Sequence, residues 1–140
     1  MLLRDWVIMS THLWIIYSRL KDQKILEIHS VDKTMLDNIH HIAIQVKNID
    51  DSISWYREKF NLNIKYQDDS WALLEFDNIS IALVLKDQHP NHFGILKDNA
   101  ESFGSLKKHR DDTKSIYISD PSGNSVEILD KKSVINNPKL

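Results

Sequence analysis

Two stretches of this 140-residue chain can be laid over one another without a gap. His41-Ile-Ala-Ile falls on His92-Phe-Gly-Ile, and Asn48 and Asn99 each follow seven residues after their histidine. Asp50 falls on Glu101 in that register, and farther on, where the second copy is six residues shorter, SVEI at 125–128 resembles SIAL at 80–83. Histidine, small residue, asparagine and hairpin recur in one order, so the chain is expected to build one supersecondary unit twice.

The first copy is the more complete. IHHIAIQV reads as a strand, and Asn48 is a good N-cap for the helix that follows. Asp50 and Asp51 suit the positive end of that helix dipole, and Arg57 and Lys59 the negative end. Ile49, Ile53, Tyr56 and Phe60 give it one apolar face. Asn61 is expected to take the left-handed C-terminal position, with Leu62 folding back on the helix. Strands are expected at about Asn63–Gln67, in WALLEF and in ISIALVL, the last two joined by Asp77-Asn78. The order is strand, helix, then three strands.

The second copy reads as HFGIL, a helix over ESFGSLKKH, the strand KSIYIS and the strand SVEIL. Only Arg110 to Thr113 separates that helix from the next strand, so this copy's second strand is expected to be vestigial or missing. Pro121 fixes φ in the turn Asp-Pro-Ser-Gly-Asn, and Gly123 is free to take a positive φ there.

Successive strand residues point to opposite faces, so strict alternation lets only one of His40 and His41 look inward. The repeat selects His41, because His41 and not His40 has a counterpart in His92. Ala43, two residues on, leaves room on the same face. His40 is then expected at the surface or an interface. His89 and His109, near loops and helix ends, are expected to be solvated. Trp55, Trp71 and Phe103 are candidates to line an apolar pocket.

Composition narrows the chemistry. Hydrophobic residues make up 41% and charged residues 27%, the balance of an ordinary globular chain. The formal charge of -2, with no long basic run, argues against a nucleic-acid partner. With no cysteine, disulfides, thiolate catalysis and sulfur ligands are excluded, and a metal site must draw on histidine, carboxylates or carbonyls. Trp6 to Leu20 is the most hydrophobic stretch, too short and too interrupted by Ser10, Thr11 and His12 to span a bilayer. It also lacks the cleavage pattern of a secretion signal. Trp6, Met9, Leu13, Ile16 and Leu20 fall at helical spacing, although Leu13 to Tyr17 also suits a short strand. The chain is expected to be cytoplasmic, with no membrane partner. Residues 1–36 are expected to form a helical N-terminal extension, 37–131 a single domain with modules at 37–87 and 90–131, and 132–140 a tail.

HIAIQVKNIDDSISWYREKFNL, HFGIL and DPSGNSVEIL together resemble the vicinal oxygen chelate superfamily. That group includes glyoxalase I, extradiol dioxygenases, fosfomycin-resistance enzymes, methylmalonyl-CoA epimerase and bleomycin-binding proteins. The resemblance covers residues 37–131. It implies an α+β fold in which two βαβββ-type modules, the second shortened, form an open, U-shaped barrel. Carried over residue by residue, it implies metal ligands at His41, His92 and Glu127. Such a two-histidine, one-carboxylate set suits one divalent ion, Fe, Mn, Ni, Co or Zn, and leaves positions open for a bidentate substrate or O2.

The repeat places Ala82 where Glu127 stands in the second copy. Glyoxalase I usually carries a carboxylate there that binds metal and acts as a base, and Ala82 can do neither. Glu75, on the preceding strand near a turn, is expected to be a solvated face residue. Tyr117 is a weaker catalytic candidate, able to donate to a bound substrate oxygen. The resemblance therefore implies a metal-dependent lyase, transferase or dioxygenase acting on a small oxygen-chelating molecule. The alternative is a non-catalytic small-molecule binding or sequestering protein of the bleomycin-resistance type. Members of this length often pair modules across two chains, so the resemblance implies a homodimer and leaves open whether its sites are shared.

Overall fold

The structure is a computed structural model that describes residues 35–140. The chain divides into two units, Met1–Leu36 and Asp37–Leu140. The helix or strand expected between Trp6 and Leu20 lies outside the described residues. No helix among the described residues is long and apolar enough to cross a membrane.

The second unit is one curled, half-barrel sheet of eight strands. They are β1 (Asn38–Val46), β2 (Asn63–Gln67), β3 (Trp71–Glu75), β4 (Ser80–Leu85), β5 (His92–Lys97), β6 (Lys107–Lys108), β7 (Lys114–Ser119) and β8 (Ser125–Asp130). Helix α1 (Ile49–Lys59) follows β1, and a four-residue helix α2 (Lys131–Val134) follows β8. The spatial order is β2-β3-β4-β1-β5-β8-β7-β6, so each half repeats the other's arrangement about the β1–β5 junction. The register obeys the same symmetry: His41 pairs with Gly94, and Ala43 with His92. In the parallel pairs, Ala43 lies beside Ala82 and Gly94 beside Glu127, which confirms Ala82 as the counterpart of Glu127.

Helix α1 starts as its sequence demands. Asn48 has extended backbone angles, and its Oδ1 accepts from the Asp51 N–H at 2.8 Å. Ile49 and Ile53 are buried against Ala72, Leu74 and Leu83 on the outer face of the sheet. Leu73, between two of those strand residues, faces the other way and joins Ala43, Ala82 and Val84 on the concave face. β3 is therefore covered on both sides, which is why WALLEF is a continuous apolar run.

Two local expectations fail. Asn61 does not adopt a left-handed conformation; the helix ends at an extended Phe60 whose N–H bonds to the Tyr56 carbonyl. Nor does ESFGSLKKH form a helix. The chain makes a single 3-10 turn at Ala100–Phe103, Asn99 makes no side-chain cap, and Gly104 follows at φ +141°. Length explains the difference. The stretch from Asn99 to β7 is shorter than that from Asn48 to β3, and it must still supply the edge strand β6. A full helix would consume Lys107 and Lys108. Ala100 and Leu106 cover the outer face instead, over Val126 and Ile128. The vestigial second strand is thus the two-residue β6, as the spacing required.

Turns fix the ends of the strands. Gly123 has φ +84° in a turn held by Asp120, which accepts from the backbone of Ser122 and Asn124 at 2.8 Å each. Asp68 does similar work between β2 and β3, accepting from Ser70 N, Trp71 N and the Tyr66 hydroxyl. Burial pushes the Asp68 carboxyl up, but these hydrogen bonds outweigh it and hold the pKa below the usual range. A carboxylate so depressed stabilises the fold above its unfolded pKa, and that contribution is lost as pH falls. Asp68→Asn is expected to cost about 1 kcal/mol at pH 7, with the deficit closing toward pH 3, as read by urea melts at both pH values.

Candidate metal centre

Each element delivers one side chain to the concave face. His41 comes from β1, His92 opens β5 and Glu127 stands mid-strand on β8. All three are buried, at 7%, 7% and 5% exposure. His41 Nε2 lies 3.2 Å from His92 Nε2, and each of these atoms lies 3.3 Å from Glu127 Oε2. The three expected ligands therefore meet, and one chain supplies all of them.

Those distances test whether a metal fits. Donors about 2.1 Å from a common ion lie roughly 3.0 Å apart at right angles and roughly 3.4 Å apart in a tetrahedron. The observed separations of 3.2 and 3.3 Å fall between the two. The donor chemistry agrees. His92 Nδ1 donates to the Pro90 carbonyl at 2.8 Å, which leaves its Nε2 lone pair aimed into the cluster. Lone pairs from an imidazole and a carboxylate converging on one point repel unless a cation or proton lies among them. The residues fit a divalent ion.

Glu127 is held in its charged form. Burial pushes its carboxyl up, but the facing His41 and His92 imidazoles and the Ser115 hydroxyl together bring it well below the usual carboxylate range. Ser115 is buried and donates to Glu127 Oε1 at 2.6 Å. Its single proton is thereby spent, so His109 Nε2–H must donate to Ser115 Oγ, also at 2.6 Å. One carboxylate oxygen is tied to the protein and the other is left for the centre.

The centre opens into a cavity of about 240 Å³. Its apolar lining includes Trp71, Leu73, Ala82, Val84, Leu129 and Leu140. Trp71 is stacked on Tyr66, with ring centroids 4.3 Å apart. Its polar lining includes His40, His89, His109 and Tyr117. Tyr117, the weaker catalytic candidate, is brought to the site: its hydroxyl lies 2.9 Å from His89 Nδ1 and 3.5 Å from His92 Nε2. Burial, then the charge of Glu127 and a hydrogen bond to it, push the Tyr117 phenol far up, so it stays a proton donor. Trp71 lines the cavity as expected. Trp55 and Phe103 do not; they are 51% and 41% exposed. Glu75 stays at the end of β3, paired with Lys65.

Three histidines were misplaced by sequence reasoning. His40, expected at the surface, lines the cavity, because a β-bulge interrupts the alternation. On β1, Ile39 pairs with Ile95 and His41 with the next residue, Gly94, so His40 is the extra residue and its side chain swings to the inner side. His89 is turned inward by the loop before β5, where its N–H bonds to the Leu85 carbonyl and its carbonyl accepts from Gln45 Nε2. His109 is held by the tight turn to β7, with its N–H on the Thr113 carbonyl at 2.8 Å. All the histidines of the described residues thus face one cavity. Nothing in strand periodicity marks a bulge or an inward loop; the recurrence of histidine itself was the available signal.

A curled two-module sheet that gathers two histidines and a glutamate beside a small cavity defines a class of proteins. Residues 38–92 match the family model of the Glyoxalase/Bleomycin resistance protein/Dioxygenase superfamily. That match spans the first module and the opening of β5, so this part of the chain is similar to the superfamily. No curated protein matches the chain. Among solved structures, a hypothetical protein of Bacillus halodurans C-125 is 16% identical with a TM-score of 0.55, the match covering 69% of this chain and 96% of that one. A superfamily member from Vibrio splendidus 12B01 is 13% identical with a TM-score of 0.49, covering 68% of this chain and 99% of that one. A lactoylglutathione lyase from Agrobacterium tumefaciens is 18% identical with a TM-score of 0.33, covering 71% and 97%. At such identities the first likeness speaks for the fold alone.

Proposed function

We propose that the chain is a divalent-metal enzyme acting on a small molecule that chelates through adjacent oxygens. The observation that carries this reading is the convergence of His41 Nε2, His92 Nε2 and Glu127 Oε2 within 3.3 Å of one another at the floor of a cavity. A bound ion would supply a Lewis acid with positions open to two substrate oxygens, or to O2 if it is iron. The protein's own groups do the rest. The apolar lining around Trp71 and Leu73 orients the carbon skeleton and excludes water, and the Tyr117 hydroxyl, held by His89, donates to a substrate oxygen. Ala82 leaves the position symmetric to Glu127 without a base, which favours chemistry that needs no proton abstraction by a carboxylate there. A cytoplasmic homodimer remains the proposed setting.

The rival, a sequestering protein, draws on that same alanine and on the apolar lining. Water proton relaxation of the Mn(II)-loaded chain separates the two. The enzyme reading expects coordinated water to be displaced by oxalate or catechol, with binding lost when the metal is removed. Ligand binding that survives metal removal would favour sequestration.

A further inference from the structure

We infer that His40 is a positioning residue that sets the tautomer and tilt of His41, and that the β-bulge at residue 40 places it for that purpose. This rests on the metal-centre reading above. Each of the other two ligands has a partner behind it: the Pro90 carbonyl accepts from His92 Nδ1, and Ser115 donates to Glu127 Oε1. At His41 Nδ1 the partner is another imidazole, His40 Nδ1 at 3.0 Å. The two rings meet edge to face, with centroids 5.2 Å apart and planes at 88°.

Two imidazole nitrogens at that distance share one proton. His41 binds a metal through Nε2 only if that atom is bare, so the shared proton belongs to His41 Nδ1 and His40 Nδ1 accepts it. His40 therefore does for His41 what a backbone carbonyl does for His92. The internal repeat does not impose this. The residue at the corresponding place in the second module is Asn91, which is exposed and accepts from Gln45 N at 2.7 Å instead. In the first module alone, the ladder is broken by one residue between Ile39 and His41, and that residue is the histidine.

The test uses the full chain, stripped of metal and titrated with Zn(II) against a chromogenic chelator. His40→Ala is expected to weaken Zn(II) binding 10- to 100-fold, roughly the usual loss when such a partner is removed. His40→Gln, whose carbonyl can still accept, is expected to recover most of it, whereas His40→Leu is not. Long-range 1H–15N spectra of the Zn(II)-loaded chain should show the His41 proton on Nδ1. Equal affinity in wild type and His40→Ala overturns the inference and leaves the metal centre standing. Equal losses in the Gln and Leu variants also overturn it, since His40 would then only pack. Failure of the wild-type chain to bind Zn(II) would remove the metal centre and this inference together.

Discussion

Gly94→Ala is expected to weaken Zn(II) binding at the candidate centre while leaving the sheet assembled. A Cβ at residue 94 would lie 2.5 Å from His41 Cε1, 2.7 Å from His41 Nδ1 and 2.9 Å from Leu129 Cδ1. Separations that short do not occur between packed atoms, so something must move. The backbone of β5 is the least able to do so, because it is bonded to β1 on one side and β8 on the other. The His41 ring is left to rotate, and its Nε2 then leaves the triangle it forms with His92 and Glu127. Zn(II) affinity is expected to fall by about 100-fold, with a stability cost of about 1–3 kcal/mol from overpacking. Chelator competition and urea unfolding read the two separately. Unchanged affinity would mean that the ring over Gly94 has no part in the centre.

Glu127→Gln tests charge rather than shape. The amide keeps the volume of the carboxylate and can still accept from Ser115, so the fold is expected to persist. The centre, however, loses the only anion among its three donors. Because the carboxyl lies well below its usual range, it is ionised throughout the neutral region, and the substitution removes a full charge. Divalent-metal affinity is expected to fall by at least about 100-fold, with circular dichroism unaltered. A Gln variant that binds Zn(II) like the wild type would remove Glu127 from the ligand set.

Much of this arrangement was legible in the residues. His41 could be told from His40 because the repeat set it in register with His92, whereas the set of His41, His92 and Glu127 as ligands came from the resemblance carried by HIAIQV, HFGIL and DPSGNSVEIL. The first helix was legible because Asn48, Asp50 and Arg57 mark both of its ends. Its partner was misread because ESFGSLKKH has enough apolar and charged residues to suggest a helix, while the demand of β6 for Lys107 and Lys108 appears only once the sheet is assembled. His40 was hidden for a different reason. Alternation assigns faces by counting, and a bulge adds one to the count with no mark in composition. His89 and His109 reach the cavity through loop hydrogen bonds from their own N–H groups to the Leu85 and Thr113 carbonyls, which depend on tertiary placement.

The most direct measurement is the metal content of the full chain after incubation with Fe(II), Mn(II), Co(II), Ni(II) and Zn(II) and removal of loosely held ions, by inductively coupled plasma mass spectrometry. With His41, His92 and Glu127 forming one centre per chain, about one ion of a single preferred metal should be retained, and His92→Ala should retain none. A wild-type chain that holds none of the five metals would contradict the metal centre and the chemistry proposed for it.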